Sequence, residues 1–157
     1  MNTNAISTSG RYAINLLEDS NHRLLFLKRS NKAVLGPARW GFPAGHIQSG
    51  ETPFECALRE LDEEIGTDRE ISLLHEMGPL RDFCYGGIYQ VWLFHFLWSS
   101  GSIMLNEEHT DYAWIDRDKF RELDRMDGID EDIAWLGIWP LQYLDKTRIP
   151  PHLLTCR

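Results

Sequence analysis

The sequence predicts a mixed fold of the α/β (α+β) class, and three observations carry it. Apolar segments with strand-like patterning lie on both sides of one amphipathic helix near mid-chain. Gln90 to Ser99 carries large apolar residues on both alternating faces, as a strand covered on both sides does. The chain has 157 residues and is 43% hydrophobic, the size of one domain with a substantial core.

Met1 to Gly10 is small and polar, with neither a basic nor an apolar targeting region, and reads as a flexible tail ahead of one domain over 11–157. Tyr12 to Leu17 and Arg23 to Arg29 then read as two strands joined by the polar turn Glu18 to His22, a hairpin. Asn31 to Arg39 contains Gly36-Pro37 and is a loop leading to a short strand at Trp40 to Phe42. The central helix follows. Thr52, Pro53 and Glu55 supply an N-cap, a first-turn proline and the acid of a capping box. Phe54, Ala57, Leu58, Leu61 and Ile65 draw one apolar stripe, and Gly66 suits the position just past its end. Ile71 to Met77, Gln90 to Ser99 and Tyr112 to Ile115 read as further strands. A helix is expected from Asp118, and another near Asp130 with that side chain as its cap. There is no internal repeat or low-complexity tract.

The helix carries the chemistry. Glu60, Glu63 and Glu64 stand at i, i+3 and i+4, so three carboxylates crowd one surface beside the apolar stripe. They lie in the last turns, where the helix dipole disfavours anions. A counter-cation resolves both conflicts. Carboxylate oxygens with no Cys or His partner on the helix are hard ligands, suited to Mg²⁺ or Mn²⁺ rather than Zn²⁺ or copper, and such a site would hold a phosphate-bound metal. A solvated acidic helix face is the plainer reading of the three glutamates alone. Gly45, Glu51, Arg59, Glu60, Glu63, Glu64 and Gly66 together form a pattern expected by chance in about one window in 10⁸.

Composition excludes several function classes. A formal net charge of -8 argues against an extended nucleic-acid or anionic-membrane partner, because both need a positive surface. A small nucleotide remains compatible when a metal supplies the positive charge. The longest apolar run, Val91 to Trp98, is too short to span a bilayer and is interrupted by His95. Cys56, Cys84 and Cys156 are odd in number and lack metal-ligand spacing, which points to a reduced, cytoplasmic setting.

At these residues the chain resembles the Nudix (MutT-like) hydrolases. Their box runs G, five residues, E, seven residues, then R-E-U-x-E-E-x-G-U, where U is aliphatic; residues 45–67 match every position except the last, where Thr67 stands. Trp40 to Gly45 is similar to the family's W-x-F-P-G-G lead-in, with Ala44 in place of the first glycine. The resemblance implies an α/β/α sandwich with a mixed β-sheet between helices, covering about residues 11–145. It implies cleavage of a diphosphate linkage in a nucleoside diphosphate joined to another moiety, with Mg²⁺ or Mn²⁺ as cofactor. Glu60 and Glu64 would be metal ligands, Glu63 a ligand or general base, and the backbone carbonyl of Ala44 a further ligand. Glu51 would support the metal shell and Arg59 would pair with it to fix loop and helix.

Outside the box, Asn106 to Trp114 resembles the segment where many Nudix enzymes place another carboxylate, and Glu108 is the candidate as ligand or base. Arg29 resembles the family's substrate-side arginine, and Arg11 opens the preceding strand; both could reach phosphates. Other features carry less. Asp124 to Asp130 does not form a calcium loop, because acids required before the glycine fall on Leu123 and Arg125. Trp40, Trp114 and Trp139 are expected in the core rather than on a nucleobase. His46 and His109 lack paired ligands and stay outside the metal site. Pro79 and Tyr85 do not decide among subgroups, so a nucleoside triphosphate pyrophosphohydrolase leads. The alternatives are a nucleotide-sugar (GDP-mannose-like) hydrolase, which Glu107 to Trp114 partly echoes, and a non-catalytic nucleotide-sensing module. A homodimer is left open.

Overall fold

The computed structural model describes residues 10–155. Met1 to Ser9, which hold all but the last residue of the expected tail, and Cys156 lie outside them. The first strand, β1 (Arg11–Glu18), turns through Asp19 into β2 (Leu24–Arg29). The turn is held by Asp19, whose Oδ1 accepts from the amides of Asn21 and Arg23. Beyond the single rung Glu18↔Leu24 the two strands diverge. β1 pairs in parallel with β6 (Gln90–Gly101) and antiparallel with β4 (Ala44–His46). β2 is flanked antiparallel by β3 (Trp40–Gly41) and β7 (His109–Ile115). β5 (Arg69–Arg81) closes the far side against β6. The strands form one mixed sheet of seven.

Helix α1 (Pro53–Ile65) covers one side of this sheet. Its start follows the sequence reading: Thr52 Oγ1 accepts from the Glu55 amide at 3.1 Å, and Glu55 Oε1 accepts from the Thr52 amide at 2.9 Å. Ala57, Leu61 and Ile65 pack with Leu17, Phe94 and Phe96 into one core. Phe54, expected in the stripe, is instead 38% exposed; it sits in the first turn, with its ring tilted against those of Phe94 and Phe96. On the other side α2 (Ile129–Leu136) and the following turns bury Leu16, Leu24 and Phe26 against Phe120, Ile133 and Trp139. Two cores on opposite sides of β1 make the layered α/β/α arrangement. β6 is interior to the sheet, as its two apolar faces require.

Two expectations fail after β7. No helix grows from Asp118; a single 3-10 turn spans Phe120–Glu122 and the chain becomes extended at Leu123. The cause is tertiary, since the Trp40 amide donates to Asp124 O and the Met126 amide to Trp40 O, pulling 124–126 into a bridge with β3. Nor does Asp130 cap a helix. α2 begins one residue earlier behind Gly128, at φ 94°, and Asp130 is fully buried inside it, where both oxygens accept from Arg125 at 2.7 and 3.0 Å. The strands at 71–77 and 112–115 are longer than expected, and β3 stops before Phe42. A short helix α3 (Pro151–Thr155), unforeseen, ends the described chain.

Candidate active site

Of the predicted residues, Arg29, Ala44, Glu60, Glu63, Glu64 and Glu108 line one cleft of about 1320 Å³, whereas Arg11, Glu51 and Arg59 are not among its lining residues. α1 brings Glu60, Glu63 and Glu64 there, β4 brings Ala44 and Gly45, and the turn before β7 brings Glu108. Glu60 and Glu64 are 8% and 2% exposed, while the Glu63 side chain is half exposed. Close approach of β4 to the helix depends on Gly45: a Cβ there would stand 2.0 Å from Glu60 Cδ. At the neighbouring position Ala44 is tolerated because positive φ among the described non-glycine residues falls on His22 and Ala38 instead. The Ala44 amide donates to Glu64 Oε1 at 3.2 Å.

Arg59 ties the loop to the helix. Its Nε donates to Glu51 Oε2 at 2.6 Å, its Nη1 to Glu60 Oε2 at 2.7 Å and Glu63 Oε2 at 3.0 Å, and its Nη2 to Glu51 Oε1 and the His46 carbonyl. The Arg59 guanidinium brings the Glu51 carboxyl down to about 2, helped by the Gln48 amide. Glu64 goes the other way. Burial, then Glu60 and Glu108, push its carboxyl well above the usual range. The Cys56 thiol beneath the site is pushed up to about 12 by burial, so it stays protonated.

Among the described residues, no three His, Cys, Asp or Glu side chains already stand as a metal cage. Arg59 takes up oxygens of Glu51, Glu60 and Glu63, whereas Glu64 accepts from the Ala44 amide and lies against the carboxyls of Glu60 and Glu108. The donors are all carboxylates with an excess of negative charge, and they fit a hard divalent cation.

Of the two candidate arginines, Arg29 lines the cleft and its Nε donates to Leu35 O at 2.7 Å. Arg11 lies over the Trp92 ring at 5.4 Å and is not among the residues lining the cleft. Trp40, Trp114 and Trp139 do not line it either; Trp139 is buried, with Nε1 donating to His22 O. His46 and His109 both do, and burial followed by Arg29 brings the His109 ring down to about 4. Sequence reasoning missed Tyr12, Lys32, Asp82, Tyr89 and Asp132 on the cleft walls. Only Tyr12, at an end of a strand beside the box, carried a signal that could have found it. A second hollow of about 420 Å³ between α1 and β5 is reached by none of the predicted site residues.

Residues 8–135 match the family described as NUDIX domain. The chain belongs to the Nudix family. Nudix hydrolases act on pyrophosphate bonds. Over 118 residues the chain is 25% identical to the nucleoside triphosphatase NudI of Enterobacter sp. (strain 638), covering 69% of this chain and 83% of the relative. It is 30% identical over 112 residues to NudI of Escherichia coli O139:H28, covering 64% and 77%. The crystal structure of DR0079 from Deinococcus radiodurans shares the fold at a TM-score of 0.62 and 17% identity, covering 85% of each chain.

Proposed function

We propose that this Nudix hydrolase is a metal-dependent nucleoside triphosphate pyrophosphohydrolase, releasing a nucleoside monophosphate and pyrophosphate, with residues 11–157 as one catalytic domain in a reduced, cytoplasmic setting. The observation that carries the reading is the convergence of Glu60, Glu64 and Glu108 on the cleft wall, with Glu64 buried and its charge opposed by the other two. Similarity to NudI supports the triphosphate class.

Glu60 and Glu64, with Glu63 and the carbonyl of Ala44, would hold Mg²⁺ or Mn²⁺. When bound, the cation supplies neutralisation of the diphosphate and acidifies water at the attacked phosphorus. Glu108, in the turn before β7, would take the proton of the attacking water, with Glu63 as the other candidate base. Arg59 and Glu51 are positioning residues: their ion pair fixes the loop 46–51 against α1 and aims Glu60. Arg29 and Lys32 line the cleft as cations for the phosphate chain. Arg11, stacked on Trp92, would contribute through β1 rather than by contact.

The test is initial-rate hydrolysis of nucleoside triphosphates, nucleotide sugars, ADP-ribose and dinucleoside polyphosphates with Mg²⁺ or Mn²⁺, with products identified. Monophosphate and pyrophosphate from triphosphates are expected, with complete loss on chelation. Glu64→Gln is expected to lose at least about 10²-fold in kcat with no loss of thermal stability, since it removes a buried charge. Turnover unchanged by chelator or by this substitution rejects the site, and absence of turnover on every class rejects the activity.

A further inference from the structure

Asn15 interrupts the apolar face that β1 turns toward α1. Ala13 and Leu17, two residues to either side and so on the same face of the strand, are fully buried in the core beneath the helix, and Asn15 is fully buried between them. Its Nδ2 donates to the carbonyl of Ala57, inside α1, at 3.2 Å. Its Oδ1 is buried and, among the described residues, has no partner. A half-satisfied amide in an apolar core gains from one hydrogen bond and loses by desolvating the unmet acceptor, so packing alone favours an aliphatic residue here.

The place of that one bond gives Asn15 its use. The backbone amide of the same residue donates to Pro43 O at 2.9 Å, next to the antiparallel pairing of Ile14 with Ala44, Ala13 with Gly45 and Tyr12 with His46. Asn15 therefore holds the strand of Ala44 by its main chain and the helix of the glutamates by its side chain. Ala57 stands three and seven residues before Glu60 and Glu64, on their face of the helix. Apolar contacts are non-directional and let a helix slide along its axis, whereas a carbonyl held in mid-helix fixes it there. Clearance where the two segments meet is small: the Ala44 amide reaches Glu64 Oε1 at 3.2 Å, and a Cβ on Gly45 would lie 2.0 Å from Glu60 Cδ. The Cys56 thiol and Arg59, both donating to His46 O, tie the helix to β4 and the loop after it, whereas Asn15 ties it to the sheet through β1.

We propose that Asn15 is a positioning residue for the candidate metal site: it sets the axial register of α1 against β1, and with it the separation of Glu60 and Glu64 from Ala44. The inference rests on the metal-dependent hydrolase reading above. Asn15 is not among the residues lining the cleft, so it acts only through the two main-chain segments it joins. Its loss should leave nucleotide binding largely alone and disturb the step that needs the carboxylates in place, because a small displacement of a reacting group costs rate before affinity.

Asn15→Val replaces the amide with a side chain suited to a strand interior, and Asn15→Ala removes it without crowding the core. In the metal-free protein, hydrogen exchange of the Ala44 amide, followed by NMR relative to the amides of β6, is expected to quicken at least about tenfold in both variants as its bond to Glu64 loosens. Mn²⁺ affinity read by electron paramagnetic resonance should weaken at least about tenfold. Likewise kcat should fall at least about tenfold, with the nucleotide KM within about threefold of wild type. A residue of purely structural value would lower the melting temperature and leave Ala44 exchange, Mn²⁺ affinity and kcat in place. Ala44 exchange or kcat within about threefold of wild type in either folded variant, or failure of both variants to fold, overturns the proposal. Should the wild type hydrolyse no triphosphate, the hydrolase reading falls by itself, and Ala44 exchange in the metal-free protein still decides whether Asn15 sets this geometry.

Discussion

Replacing Gly45 with alanine tests whether the backbone of β4 is there to seat Glu60. An added Cβ would lie 2.0 Å from Glu60 Cδ, 2.2 Å from Oε2 and 2.5 Å from Cγ. Carbon atoms in contact stand about 3.5 to 4.0 Å apart, so the carboxyl must retreat by roughly 1.5 Å. The obstructed atoms belong to the far end of a side chain facing the cleft, so Glu60 gives way before the strand does. Moving it breaks the 2.7 Å hydrogen bond from Arg59 Nη1. That loss is worth about 1.5 to 3 kcal/mol, with about 1 kcal/mol more for an off-rotamer side chain. Gly45 is not among the positive-φ residues, so alanine returns about 0.4 to 1 kcal/mol through the unfolded chain. The net destabilisation is about 1.5 to 3.5 kcal/mol, a fall of roughly 3 to 14 °C in melting temperature for a domain of this size. Activity should suffer far more, by at least about 10²-fold in kcat, because a displaced carboxylate no longer meets its target geometry. Thermal unfolding and Mg²⁺-dependent initial rates measure the two effects. Activity within about threefold of wild type, or failure to fold, refutes the argument: the first means Glu60 is not needed where it stands, the second that the strand yields instead.

Asp130→Ala should be the most destabilising of the remaining changes, by about 3 to 5 kcal/mol, because it strands the buried Arg125 guanidinium and frees the Asp145 amide; denaturant unfolding reads it. Thr52→Ala removes half of the capping box and should cost about 1 kcal/mol in the same assay without altering kcat. Stability should also fall in acid through Glu18. Hydrogen bonds from His95 and His22 hold that carboxyl below its ordinary value of 4.5, so its contribution is present above pH 4.5 and disappears as pH falls through the lowered folded value. Melting curves from pH 6 down to about 3 should therefore show a steeper decline for wild type than for Glu18→Gln; parallel curves would remove the pair from the account.

Local signals made most of the box legible. Thr52, Pro53 and Glu55 satisfy orphan amides within four residues, and the apolar spacing of Ala57, Leu61 and Ile65 orients the helix without reference to anything else. The same logic failed at Asp118 and Asp130. A 3-10 turn replaced a helix because the Trp40 backbone, nearly eighty residues earlier, captured the chain, and Asp130 lost its capping role to Arg125 in the interior. Arg11 reads like Arg29 in sequence, each at a strand terminus; only packing on Trp92 separates them.

The linear chain by itself determined the carboxylate array, its helix and its family, because capping, periodicity and the box spacing act over a turn or two. Tertiary structure alone decided what faces that array. Glu108 reaches Glu64 because β7 pairs with β2, and Asp82 and Asp132 share a wall because α2 packs beneath the turn after β5. Such meetings have no periodicity to announce them, since burial and charge at these positions arise from contacts between segments far apart in sequence.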